Sequence, residues 1–357
     1  RPLQKGWNHR GRFRRNTSRD EGNYSQGAFL GPLGCRVGGL KMLEHKETPA
    51  SAWLILSVAV IAVSSAGIVL QEMSNVKPLL RASWRMQGTA LVLLPGFLYQ
   101  FNRRPTPSLT INDWLLIAAS SGFLAIHFGS WVWSLDNTSL VHSLLFVNTH
   151  PLIVVALMPM MGEVVRRGHL EGVIIGFAGA VVALMDLGDG GEVTLMGDLA
   201  AFLGAVTIVG YILVGRELRS NREMPIFVYA FPVTLGAGIW LSLGTMLFEG
   251  SATTSLHPES SIFGWSDPFW IVWVAYLSLG PGLCGHTGFN TVLRWIPPII
   301  VSIAMLLEPV IGALIGYIWT GDALIGLPTV IGGLMMMAGA MHVTLQGKSK
   351  SEGESVS

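Results

Sequence analysis

The chain has 357 residues, 50% of them hydrophobic and only 13% charged, against roughly 25% charged in an ordinary soluble domain. Residues 1–50 carry 10 basic and 4 acidic side chains and residues 348–357 carry four charges, which leaves 27 for the 297 residues between. So few charges cannot cover a core of that size with a wettable surface, which excludes a soluble enzyme, a secreted disulfide scaffold and a disordered chain.

Apolar runs of spanning length, roughly 20 residues, fall near residues 53–71, 86–101, 114–135, 140–161, 170–187, 198–215, 225–248, 268–290, 295–320 and 324–346. The second is short, so its helix is expected to start before Arg85. Hydrocarbon offers backbone groups no partner, so such runs are helices or barrel strands. Barrel strands alternate apolar and polar residues over about 10 positions, and these do not. The predicted fold class is an all-α integral membrane protein with ten transmembrane helices. Residues 1–50 are Arg-rich, lack an apolar signal region and read as a disordered tail. The two cysteines, Cys35 and Cys284, have neither disulfide-framework nor metal-ligand spacing.

Lys and Arg set the orientation of such a chain. With the N-terminus inside, 20 of the 23 basic residues fall in inner segments. Only Lys77, Arg81 and Arg85 lie outside, in the first connection. The connections at 186–192 and 249–267 hold acids and no base. Both termini are therefore expected in the cytoplasm, and an even helix count requires them to share a side.

The sequence repeats itself. His127-Phe-Gly129, Pro151, Gly162-Glu163, Gly172 and Gly179 recur in order as His286-Thr-Gly288, Pro309, Gly321-Asp322, Gly332 and Gly339. The offset stays between 158 and 160 residues. Five helices per half is an odd number, so the two copies are expected in opposite orientations, a plan typical of secondary transporters with a midplane site. The corresponding boundaries are 1–50 for the N-terminal tail, 51–187 and 198–346 for the repeats, and 347–357 for the C-terminal tail.

The stretch from Ser134 through Pro151, Gly162-Glu163 and the glycines of the fifth run resembles the end of an EamA domain. So does the stretch from Leu293 through Leu306-Leu-Glu-Pro309, Gly321-Asp322 and Gly332–Gly339. Two such domains in tandem resemble the ten-helix members of the drug/metabolite transporter superfamily. Asp322 departs from the family's usual Glu, keeping the charge with a shorter reach. The resemblance implies movement of small organic metabolites along a path between the halves. It does not name a substrate.

Ionisable groups at membrane depth cost at least about 2.5 kcal/mol unless partnered, so each is a functional candidate. Glu308 is an acid deep inside the ninth run, and the repeat equates it with His150, since each precedes its proline. Such a pair across a central path can bind and release a proton; alternatively, Glu308 bonds backbone freed by Pro309, which has no amide donor. His127 and His286 form a second repeat-related pair, with Trp131, Asn148 and Asn290 nearby. Rings and amides together suit a polar organic solute, while a lone buried His can equally be a satisfied packing group. Pro151 and Pro309 permit bends. Glu163 and Asp322 read as structural anchors of neighbouring helix N-termini. Glycines in the fifth and tenth runs give small faces for close packing.

No Walker A loop, nucleophile elbow or His-Glu-x-x-His occurs. No catalytic residue, metal or cofactor is assigned. The expected partners are a small-molecule substrate and the lipid bilayer, without nucleic acid, and a homodimer is left open. The reading is a secondary transporter working by alternating access, proton coupling included as an option. A non-transporting membrane receptor or scaffold and an intramembrane enzyme are the alternatives.

Overall fold

A computed structural model of the chain describes residues 48–103, 109–138, 143, 146–161, 164–185, 194–320 and 327–353. Among them every regular element is helical, apart from one isolated bridge between Ala252 and Ser261. Four helical stretches are long and apolar enough to cross a membrane by length and composition: Ala50–Glu72, Ile111–Leu135, Leu195–Asn221 and Ile226–Glu249. Most of the N-terminal tail, with Glu163 and Asp322, lies outside the described residues.

The chain opens with α1 (Ala50–Ser64) and α2 (Ala66–Glu72), followed by α3 (Pro78–Phe101). Helix α3 begins with proline, whose fixed φ and missing amide suit a first helical position. The second helix therefore starts well before Arg85, as expected. Arg81 and Arg85 are not connection residues, however, which corrects the count of outer bases: both lie inside α3, each 1% exposed. A carboxylate from further along the chain holds the start of α3. Glu249 accepts from the amides of Leu79 at 2.7 Å and Leu80 at 3.1 Å, satisfying donors that a helix start leaves open.

Helix α4 (Ile111–Leu135) starts with a reciprocal cap between Thr110 and Asp113. Asp113 also accepts from Arg222 at 2.6 Å. That bond and the one Arg222 donates to Glu217 hold its guanidinium above its ordinary range.

The two prolines of the repeat do not bend continuous helices; they start new ones. Asn148 and Thr149 form a turn, after which α5 (His150–Leu157) runs with Pro151 at its second residue. In the second half α11, described below, ends at Met305, Leu306 and Leu307 turn, and α12 (Glu308–Thr320) begins with Glu308 followed by Pro309. The runs at 140–161 and 295–320 are thus broken at matching points, since a proline has no amide to continue the preceding helix and its ring clashes with the carbonyl four residues back.

Helix α6 (Arg167–Leu184) follows, then α7 (Leu195–Arg216) and α8 (Ile226–Gly244), each of the last two running into a short π-helical end. The run at 268–290 is not regular either. It begins as α9 (Trp270–Leu277), widens into a π-helical stretch over Ser278–Thr287 that contains Pro281, and closes as α10 (Gly288–Val292). Helices α11 (Pro298–Met305) and α13 (Leu327–Gly353) flank α12.

Helix α4 packs along α7 and α8, α3 along α8, and α6 along α13. The last pair approaches backbone to backbone. A Cβ added at Gly172 would lie 2.8 Å from the Gly339 carbonyl oxygen, and one at Gly179 2.6 Å from that of Gly332. Only residues without a side chain permit that approach, the small-residue packing the sequence suggested.

Candidate functional site

The two helix breaks and the π-helical stretch converge on one cavity. Its polar wall is Arg85 from α3, His127 from α4, Asn148 and His150 from the first break, His286 from the π-helical stretch and Glu308 from the second break. Trp131 and Phe128 add aromatic surface, and Val63, Ala66, Val147, Ile208 and Met305 complete it. In this conformation the space accommodates on the order of two water molecules.

The aromatic groups interlock. His127 stacks nearly parallel to Trp131, at 9° with centroids 6.3 Å apart. His286 meets Phe128 edge-on at 5.0 Å and lies 6.3 Å from His127. His127 Nδ1 lies 3.0 Å from the Gly204 carbonyl oxygen; an N–H donating there leaves Nε2 as the acceptor of the neutral ring. His150 is engaged on both sides, its Nδ1 3.0 Å from the Val147 carbonyl oxygen and its Nε2 3.1 Å from that of Ser302.

Glu308 and His150 line the same cavity, yet no hydrogen bond joins them among the described residues. The charge opposite Glu308 is instead Arg85, which interacts with it electrostatically without a hydrogen bond. Glu308 opens α12, where a negative charge is favoured by the helix dipole. Pro309 stands second in that helix, so its missing amide removes no intrahelical bond. No backbone group freed by Pro309 therefore calls for a bond from Glu308.

Arg85 is the most costly group in the wall. None of its three guanidinium nitrogens has a hydrogen-bond partner. Its Cζ lies 4.3 Å from the centre of the Phe128 ring, an attraction of about 2 kcal/mol when desolvated. Glu308 supplies a counter-charge but no hydrogen bond, so neither it nor the ring satisfies the guanidinium's N–H donors. Arg81, one turn earlier, differs: it donates to the Leu70 carbonyl at 2.7 Å and pairs with Asp136. Trp131 Nε1 and His286 Nδ1 are also buried without a partner.

Six of the seven predicted site residues thus meet at the cavity: Glu308, His150, His127, His286, Asn148 and Trp131. Asn290 stands apart. Its amide donates to the Tyr211 hydroxyl and, at 2.8 Å, to the His286 carbonyl, so it supports the π-helical stretch from behind. Arg85 and Phe128 are the members sequence reasoning missed. The signal for Arg85 was the length of the second run, since 86–101 is too short to span and its missing turns must lie upstream.

The EamA-like transporter family matches residues 50–185 and 195–345. The chain belongs to the EamA-like transporter family. It follows that this is a membrane transporter of the drug/metabolite transporter superfamily, and the family's members are transporters, not enzymes. No curated protein matches the chain. A solved structure titled "Crystal structure of protein" is 20% identical, with a TM-score of 0.67 over 84% of this chain and 98% of that one. That likeness shows the fold. In this EamA-like transporter the cavity draws Arg85, His127, Asn148 and His150 from the first matched segment and His286 and Glu308 from the second.

Proposed function

We propose that the protein is a secondary transporter that moves a small organic solute through the cavity between its two EamA segments by alternating access. One observation carries the reading: both matched segments break a helix at the same sequence landmark, and both breaks open onto the same polar cavity. Broken helices facing a central site are the means by which many secondary carriers present binding groups at membrane depth. The sequence provides no nucleotide-binding loop to power the cycle.

The proposed arrangement is ten transmembrane helices in two inverted five-helix repeats, 51–187 and 198–346, with both termini cytoplasmic. The repeat offsets and the 20-to-3 partition of basic residues support it. With Arg81 and Arg85 inside α3, Lys77 is the base of the first connection; on the inner side Arg167, Arg216 and Arg219 likewise lie within helical elements. The proposed substrate-contacting or coupling residues are Glu308, His150, His127, His286, Asn148 and Trp131, with Asn290 as their support. Glu308 is the proposed coupling residue because it is an acid in a cavity that also holds the cation Arg85.

Purified full-length protein in liposomes loaded with a metabolite extract tests the reading. Solutes that exchange with an external isotope-labelled extract, followed by mass spectrometry, identify a transporter and its cargo together. Liposomes that equilibrate nothing under any gradient would point instead to a receptor or scaffold, and chemical conversion of an extract component to an intramembrane enzyme.

A further inference from the structure

Arginine keeps its charge and presents five N–H donors in a planar fork. In Arg85 all three guanidinium nitrogens lack a hydrogen-bond partner although the side chain is 1% exposed and lines the cavity. Phe128 occupies one side of the guanidinium. Beside it the indole N–H of Trp131 is buried and equally unused, and indole can only donate. The wall therefore holds at least six unused N–H donors. Satisfying them takes an acceptor that the described residues do not provide in this conformation.

Charge counting narrows the acceptor. One guanidinium neutralises one negative charge, and that charge is an incoming anion's only while Glu308, in the same cavity, holds a proton. A phosphate monoester brings about −1.5 to −2, and its excess would face Glu308 in the same small space. A carboxylate brings one charge and two oxygens, matches the guanidinium fork bidentately, and fits where roughly two waters fit now. The apolar wall of Val63, Ala66, Ile208 and Met305 suits the organic remainder of such a solute rather than a bare ion.

We infer that Arg85 anchors the carboxylate of a singly charged organic acid, with the Trp131 indole as a second donor to the same group. Glu308 is then the counter-charge that the incoming carboxylate replaces, and it is protonated while the acid is bound. That the acid is cargo rests on the transporter reading above; that it binds at Arg85 does not.

The test uses the full-length protein in detergent micelles at constant ionic strength, its thermal unfolding followed with sodium phenylacetate, a series of C2–C9 monocarboxylates, phenylacetamide, inorganic phosphate and chloride. Saturable stabilisation by monocarboxylates and none by phenylacetamide is expected. Arg85→Gln should abolish it. Trp131→Phe keeps the ring and removes one charge-assisted hydrogen bond, so it should weaken binding about tenfold, and it decides the matter should Arg85→Gln not fold. Equal stabilisation by the amide, an unchanged affinity in either folded variant, a response to phosphate or chloride alone, or no response to any acid of the series would each overturn the assignment. Liposome exchange separates the two readings. Acid binding without any solute exchange sinks the transporter and leaves the site, whereas exchange of neutral solutes unaffected by Arg85→Gln sinks the site and leaves the transporter.

Discussion

The imidazole rings of His127 and His286, at positions the internal repeat equates, lie with their centroids 6.3 Å apart and their planes tilted by 57°. They come from α4 and from the π-helical stretch, so the two halves of the chain touch through corresponding side chains. Phe128 wedges against His286 beside them and carries the Arg85 guanidinium on its face. Aromatic contact, unpaired cation and acid are therefore within one small volume.

Glu308→Gln retains size and hydrogen bonding and removes the charge. If Glu308 carries the coupling proton, this variant loses gradient-driven accumulation while downhill exchange persists. The groups facing Glu308 across the cavity are Arg85, His127, Asn148, His150 and His286. Uptake into proteoliposomes with and without a pH gradient separates the outcomes: accumulation equal to wild type removes Glu308 from coupling, and loss of both activities makes it a substrate contact.

Arg81 and Arg85 are one helical turn apart and equally buried, yet they should respond unequally to Met. Arg81→Met strands the Leu70 carbonyl and the Asp136 carboxylate, costing about 3 kcal/mol or more. Arg85→Met breaks no hydrogen bond but leaves Glu308 without its counter-charge, so it should destabilise less than Arg81→Met while transport fails. Thermal unfolding alongside exchange assays reads both; equal destabilisation of the two variants would show Arg85 to be structural.

Gly179→Val puts side-chain carbon where only 2.6 Å separates a Cβ from the Gly332 carbonyl oxygen. Helices α6 and α13 must then part, at about 1–3 kcal/mol. The expected signs are a lower unfolding temperature and less monodisperse protein. A Val variant as stable as wild type would mean the two helices do not need that approach.

If both termini are cytoplasmic as proposed, the sequon Asn16-Thr-Ser stays unglycosylated in cells that glycosylate secreted chains. Sugar on Asn16, or cleavage of the tail by protease added outside intact cells, would reverse the orientation and the helix count on which it depends.

Helix content and the site's main members were legible from hydropathy and from the repeat, because apolar length and recurring landmarks survive in one dimension. His127, Asn148, His150, His286 and Glu308 were found that way. Three features were hidden for physical reasons. Arg85 looked like a loop base because a charge ends an apolar run whether or not the helix does. The breaks before Pro151 and Pro309 read as bends, since a proline's position within its helix depends on where the preceding turn falls. Residues 251–267 read only as an acidic connection, yet the Ser261 carbonyl accepts from the Trp84 indole at 3.0 Å and Trp265 donates to Gln87 at 2.8 Å. Such long-range contacts leave no periodic trace.

The π-helical stretch around His286 makes the two halves unequal. His127 sits in an uninterrupted helix with Nδ1 bonded to Gly204, whereas His286 Nδ1 is buried with no partner. A buried polar group left unsatisfied costs about 1–3 kcal/mol, enough to bias a two-state equilibrium by roughly tenfold or more. In a carrier whose halves exchange roles as proposed, that difference tilts the resting population toward one side of the membrane. One irregular stretch then gives a nearly symmetric scaffold a preferred side on which to wait.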